Sequence, residues 1–326
     1  MMGAGPVIAI GVIVLPILMS LGIPKAIAMF TFMGSVSAGM YLNPVLQFSQ
    51  LRAFICASDE MPEFSFSWYT SHWGIYALII SVVVVSVLTG IYLKIGKKSH
   101  AWAAQAAPKN TQTDAPLIAL ILPIVPVVLK IWLDFSVIGG FVIAGFAALF
   151  LCGKMNKSFK ENCQLVNKLY YDGVVDTAPL VGFLLTLPMF NTCASYASPY
   201  FKEVLGGIMP TNEYVVCALF AALSILGFFR GPLTLYGCGA ATLGVLSAVG
   251  HFSVPFLFCV FTIPATTVNV GSCITQSWIA WGLAYTKVES RDYLKLSIPF
   301  AYICSILLYI LTAFTVTGLG PEWFLS

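Results

Sequence analysis

The sequence predicts an all-α membrane protein built from two inverted repeats, and three observations carry that expectation. Of 326 residues, 59% are apolar and 9% are charged, with 16 Lys and Arg against 13 Asp and Glu and a net charge of +3. A soluble domain carries about 25% charged residues, so this chain lacks the charge to cover a water-facing surface. The apolar runs are long and continuous, which points to helices and away from a transmembrane barrel, whose strands alternate over ~10 residues. A pattern of Gly-Pro, apolar run, break, Asn and apolar span occurs twice, 226 residues apart. The same composition excludes a soluble enzyme and a disordered chain. It also excludes a nucleic-acid partner, because the surplus of cations is too small and scattered to track phosphates.

A span needs about 20 apolar residues at a rise of 1.5 Å. Apolar segments lie at 6–22, 26–49, 74–93, 117–133, 135–152, 174–192, 214–229, 232–250, 254–285 and 296–317. The segment 254–285 is too long for one straight helix and holds a polar run over 269–277. The connections carry the orientation. Lys94, Lys97, Lys98 and Lys109 share a linker over 94–116, and Lys154, Lys157, Lys160 and Lys168 share a second loop. With Lys25, Lys287, Arg291 and Lys295, these cations place the basic loops in the cytoplasm. The acidic loop with Asp59, Glu60 and Glu63 then faces out. Residues 154–173 bring Phe159, Cys163, Val166, Leu169 and Tyr170 to near-helical spacing between lysines. That pattern fits an amphipathic helix in the inner interface, with an ordinary basic loop as the alternative. Nine cysteines form no CxxC and no metal-ligand cluster, and the three histidines are isolated.

The repeat is read from joint features. Gly5-Pro6 and Gly231-Pro232 each open an apolar run, each run ends in a Gly- and Pro-containing break, and each next run reaches an asparagine, Asn43 or Asn269. Each copy then has one more span. The first copy runs from Lys25 outward and the second runs inward to Lys287, Arg291 and Lys295, so the pattern is inserted upside down. Residues 1–93 are expected to be the C-terminal part of the first repeat. Residues 117–317 are expected to be the whole second repeat: two spans, the interfacial helix 154–173, a span, a hairpin at 214–250, a broken helix at 254–286 and a last span. The first repeat is then truncated at the N-terminus and lacks roughly 110 residues.

Non-helical backbone is costly in hydrocarbon and persists where it is buried or lines a wet cavity. The breaks are therefore the candidate sites. Pro44 has no N–H and pushes Asn43 out of helical geometry. Around Asn269, Gly271 permits unwinding, and Ser272, Thr275, Gln276 and Ser277 offer oxygens or donors. At Arg230-Gly231-Pro232-Leu233-Thr234, a helix starting at Pro232 presents free N–H groups suited to a carboxylate, with Arg230 as a fixed cation. Hairpin tip and turn between two full spans are both open for 214–250. No P-loop, dinucleotide fingerprint, HExxH or GxSxG occurs, so no catalytic residue and no enzyme activity is expected.

The Gly-rich tip RGPLTLYGCGAATLGVL, the polar broken helix TTVNVGSCITQSWIAWGLAYTKVESRDYLKLSIPFAYI and the segment TAPLVGFLLTLPMF resemble the ion-transporter superfamily of secondary carriers, nearest its gluconate and citrate permease branches. The resemblance implies an inverted-repeat secondary transporter with re-entrant helical hairpins, a homodimer in the bilayer, and symport of a small organic anion with H⁺ or Na⁺. On that likeness Asn43, Thr234, Asn269, Ser272 and Thr275 fall where family members hold substrate or cation. Together with the breaks, the expected substrate residues are Asn43, Arg230, Gly231, Thr234, Asn269, Ser272 and Thr275, and the expected cation residues are Asn43, Asn269, Gly271, Gln276 and Ser277. No cofactor is expected beyond Na⁺ as coupling ion, and the expected location is a bacterial cytoplasmic (inner) membrane. The alternative is a cation/proton antiporter without an organic substrate. An antiporter normally buries a carboxylate in a broken helix, and both breaks carry an amide instead.

Overall fold

The computed structural model describes residues 4–56, 63–96, 116–126, 129, 137–155, 158–175, 189, 193, 196, 200, 210–250 and 252–319. All regular structure among them is helical. Contacts gather the chain into two units, Met1–Gln105 with Leu187–Ser326, and Ala106–Thr186. The expected linker at 94–116 and the span at 174–192 lie largely outside the described residues.

In the first unit, Pro and Gly cut the apolar runs into short helices. Helix α1 (Ala4–Ser20) stops where Gly22 takes φ 80° and its N–H reaches Met19 O at 3.0 Å, and Pro24 precedes α2 (Lys25–Met40). The residue after a helix takes this left-handed form most easily when it is glycine. Helix α2 ends at Tyr41–Asn43. Pro44 then opens a π-helical segment, Pro44–Ser49, that runs into α3 (Gln50–Ile55). Asn43 restarts the helix by accepting the Val45 N–H on Oδ1 at 3.0 Å. Helix α4 (Phe66–Tyr69), a π-turn at Thr70–Gly74 and α5 (Ile75–Gly96) join into one long apolar rod capped by Ser65.

The later half of this unit repeats the pattern of short pieces. Helix α8 (Glu213–Ala222), capped by Asn212, bends by 64° into a 3-10 segment, Ser224–Arg230. A turn then leads to α9 (Gly239–Val249). Ser253 caps α10 (Val254–Ile263), which passes Pro264 into a second π-segment, Pro264–Val270. The chain leaves helical form at 273–276, resumes in α11 (Ser277–Thr286), turns at Lys287 with φ 55°, and ends in α12 (Ser290–Thr315).

Residues 255–273 are all buried, so α10 and its π-segment form the centre of the unit. A helix that is apolar all round belongs inside. Phe256, Phe258, Phe261 and Phe300 are fully enclosed, and Phe258 meets Phe48, Phe64 and Tyr69 at ring-centroid distances of 5.2–5.3 Å. By contrast α5 exposes Ile79, Val83, Val87 and Ile91 along one side. Among the described residues two helices, Phe66–Ile95 and Ser290–Thr315, are long and apolar enough to cross a membrane, or three if the bent pair Glu213–Ala222 and Ser224–Arg230 is one span. Among the described residues of the first unit, Pro44, Pro264 and the Gly-rich turn leave the other apolar runs in shorter helical pieces.

The second unit contains a 3-10 helix (Leu117–Ile124), α6 (Val137–Leu151) and α7, residues 159–175. Helix α7 covers most of the predicted amphipathic stretch, beginning five residues later.

Candidate functional site

The two interrupted helices of the first unit meet at a buried polar crossing. Ser37 Oγ on α2 donates to Thr266 O at 3.1 Å, Tyr41 Oη pairs with Thr267 Oγ1, and Gln47 Nε2 donates to Thr266 Oγ1. Gly271 sits under Ser37, and a Cβ there lies 2.7 Å from Ser37 Cβ. This changes the expected role of Gly271. Its backbone is right-handed helical, at φ −89° and ψ −18°, so it serves close approach of two helices rather than unwinding.

The second interruption falls four to seven residues beyond Asn269. Asn269 itself lies inside the π-segment and is fully buried. The wide π-turn absorbs Pro264, so the chain stays coiled through the asparagine and opens only at Cys273–Gln276.

Most backbone groups freed by these irregularities are answered from neighbouring helices. Tyr69 Oη donates to Tyr41 O at 3.0 Å, and Asn43 N–H donates to Met40 O at 2.9 Å. Trp278 Nε1 donates to Val270 O at 3.2 Å, Tyr293 Oη to Gly271 O at 2.6 Å, and Ser297 Oγ to Ser272 O at 3.4 Å. The Met40 and Tyr41 carbonyls beside the Asn43-Pro44 break are therefore both paired within the protein. Ser272 Oγ donates to Thr267 O and to Ser297 O, each at 3.2 Å. One donor is left over. Gln276 Nε2 donates to Asn269 Oδ1, and Asn269 Nδ2 is buried with no partner. An unpaired buried amide N–H costs about 1–3 kcal/mol; away from the crossing, Thr262 Oγ1 and Ser305 Oγ are buried without a hydrogen-bond partner as well.

The Gly-rich tip packs beside this crossing. Gly227 abuts Pro264 and Val268 of the π-segment, where an added Cβ lies 3.1 and 3.3 Å from them. Phe229 and Arg230 take φ 53° and 59°, a left-handed conformation costing roughly 1–2 kcal/mol per residue. The Phe229 N–H donates to Cys273 Sγ at 3.2 Å, and Cys273 Sγ pairs with Thr275 Oγ1 at 2.9 Å. Arg230 Nη1 donates to Tyr236 O at 3.1 Å, and Thr234 Oγ1 donates to Gly227 O at 2.9 Å. The turn is closed so tightly that a Cβ at Gly231 lies 1.9 Å from Leu226 O, and one at Gly237 lies 2.1 Å from Arg230 O. The expected helix start at Pro232 is corrected to Gly239. Residues 232–238 form turns, and the Gly239 N–H is spent on Thr234 O at 3.0 Å.

The predicted residues therefore divide. Asn269, Gly271, Ser272 and Gln276 belong to the crossing, which Asn43 joins through its neighbours Tyr41 and Gln47. Arg230, Gly231, Thr234 and Thr275 belong to the tip and the interruption it touches. Ser277 begins α11 and is exposed. Sequence reasoning passed over Ser37, Gln47, Thr266, Thr267, Cys273, Tyr293 and Ser297. The Thr266-Thr267 pair just before Asn269 was the available signal, since side-by-side hydroxyls in an apolar run need partners.

Neither family models, curated proteins nor solved structures contain a match to this chain. The functional reading rests on the geometry of the site.

Proposed function

We propose that the chain is a secondary active transporter, a symporter of a small organic anion such as gluconate, citrate or a similar carboxylate with H⁺ or Na⁺. It would be built as two inverted repeats with a re-entrant hairpin at 213–249. The observation that carries the anion is Asn269 Nδ2, a buried donor without an acceptor beside a Gly-rich tip that bears Arg230. A carboxylate oxygen accepts two or more such donors, and a buried charge needs them. The side chains buried at the crossing are neutral amides and hydroxyls: Ser37, Gln47, Thr266, Thr267, Asn269, Ser272 and Gln276.

Two further features support the architecture. Tyr41 and Thr267 are 226 residues apart, the repeat offset, and they hydrogen-bond to each other. Contact between repeat mates is what a two-fold axis through the crossing demands. Helix α9 has 11 residues, about 16 Å at 1.5 Å per residue, which is half the ~30 Å hydrocarbon core. A hairpin that enters and leaves by one face fits that length, and the 64° bend between its incoming pieces fits it too.

The test is uptake of labelled carboxylates into proteoliposomes. Asn269→Ala removes the unpaired donor, and Gln276→Ala removes only its orienting partner. The reading expects Asn269→Ala to lose uptake at least tenfold while Gln276→Ala keeps a measurable share. Normal uptake by Asn269→Ala rules out the amide as the anion's donor.

A further inference from the structure

The second unit contains a groove that the transport site does not use. Helix α6 ends at Leu151 in a Gly-terminated turn. Gly153 takes φ 65° and donates to Phe150 O at 3.0 Å, and the Lys154 N–H donates to Leu149 O at 3.0 Å. This paired closure of the last helical carbonyls reverses the chain sharply. Asn162 Nδ2 then donates to Met155 O at 2.8 Å, tying the first turns of α7 back to the corner. Between α6 and α7 lies a cavity of about 610 Å³. Phe146 and Leu149 line it from α6, and Val166, Leu169 and Tyr170 line it from α7. Lys154 is the one charged residue among its described lining. The cavity opens to the surface, since Phe146 is 46% exposed and Tyr170 is 70% exposed.

We propose that this groove binds an anionic phospholipid, with an acyl chain along α6 and α7 and the phosphate at Lys154. The lining has the chemistry of that molecule: an apolar trough with a single cation beside it. Val166, Leu169 and Tyr170 lie at i, i+3 and i+4, one apolar side of α7. Lys160 and Lys168 sit outside the lining and are exposed, and Glu161 and Asp172 on the same helix balance them, so Lys154 is the cation that meets the headgroup. A lysine at a membrane surface attracts an anionic headgroup, and an apolar helix side in the interface buries itself against acyl chains. A zwitterionic lipid satisfies the trough equally well but gains nothing from the isolated lysine. The site is independent of Asn269 and stands whether or not the carboxylate reading does.

Gly145 makes the test clean. It lines the groove, and an added Cβ there meets nothing within 4 Å. Gly145→Leu therefore starts from a Cβ with room around it, takes up space in the trough, and improves the helix, because Leu is a stronger helix former than Gly. The full chain, purified in a neutral detergent, is titrated with dioleoylphosphatidylglycerol or dioleoylphosphatidylcholine, and bound lipid is counted by native mass spectrometry. The wild type is expected to hold phosphatidylglycerol about fivefold more tightly, the scale of one lysine near an anionic surface. Lys154→Gln is expected to abolish that preference, Gly145→Leu to reduce retention of both lipids, and Lys168→Gln to change neither. Equal retention of the two lipids by the wild type, or undiminished phosphatidylglycerol on Gly145→Leu, overturns the proposal.

Discussion

Replacing Gly271 by Ala tests whether the crossing is a close helix contact. The new methyl carbon lies 2.7 Å from Ser37 Cβ, 2.9 Å from Ser37 Oγ and 3.2 Å from Phe300 Cε1. Ordinary contact begins near 3.4 Å, so α2 and the π-segment must part by about 0.7 Å. Ser37 Cβ is fixed to the backbone and cannot swing away. Overpacking of this kind costs about 1–3 kcal/mol. Parting the helices also lengthens the bonds from Ser37 Oγ to Thr266 O and from Tyr41 Oη to Thr267 Oγ1, each worth about 0.5–1.5 kcal/mol net. The expected loss is about 2–4 kcal/mol. The assay is denaturation of the detergent-solubilised chain followed by labelling of buried cysteines such as Cys304. Ser37→Gly alone should cost about 1–2 kcal/mol, from helix propensity and one hydrogen bond. The double variant should then cost less than the sum of the two by about 1–2 kcal/mol, because the clash is gone. Additivity within about 0.5 kcal/mol means the residues do not touch. Gly271 would then have some other purpose.

Other outcomes follow from the same geometry. Gly237→Ala puts a methyl 2.1 Å from Arg230 O and should disrupt the tip, seen as faster proteolysis there, whereas Gly90→Ala meets nothing within 4 Å and should be neutral or stabilising by up to about 1 kcal/mol. Tyr41→Phe removes the hydrogen bond to Thr267 Oγ1 and should cost about 1 kcal/mol, while Thr267→Val in the Tyr41→Phe background should cost less than it does alone. Phe229→Gly relieves a left-handed residue that is 61% exposed, so it should raise the unfolding midpoint rather than lower it. Arg230→Ala should weaken carboxylate binding more than Arg230→Lys, measured as the concentration giving half-maximal uptake; equal and near-normal values would make Arg230 a turn residue.

The elements that were legible in the sequence are those punctuated by Pro and Gly. Leu21-Gly22-Ile23-Pro24 announces the end of α1 because Gly22 alone suits φ 80° and Pro24 cannot extend the helix. Asn43-Pro44 likewise marks a real interruption. The second interruption falls inside the polar run 269–277, but only at 273–276, because a π-turn, which has no sequence signature, keeps the chain coiled through Asn269. The coil widens around Pro264 and carries Asn269 inside. The tip was legible as a turn from its glycines, but not its length, because the clashes that require Gly231 and Gly237 are with backbone oxygens brought close only by folding. The long-range partners were out of reach for the same reason. Ser37 and Gln47 are unremarkable in an apolar run, and only the crossing gives them Thr266.

On the proposed function, the buried Asn269 amide donates to the carboxylate. The most direct measurement is a thermal-shift screen of the full chain against small carboxylates, with and without Na⁺, run in parallel on Asn269→Ala. At least one carboxylate should raise the wild-type midpoint and leave Asn269→Ala unmoved. A shift that survives in the variant, or no shift with any carboxylate in either salt, contradicts the account.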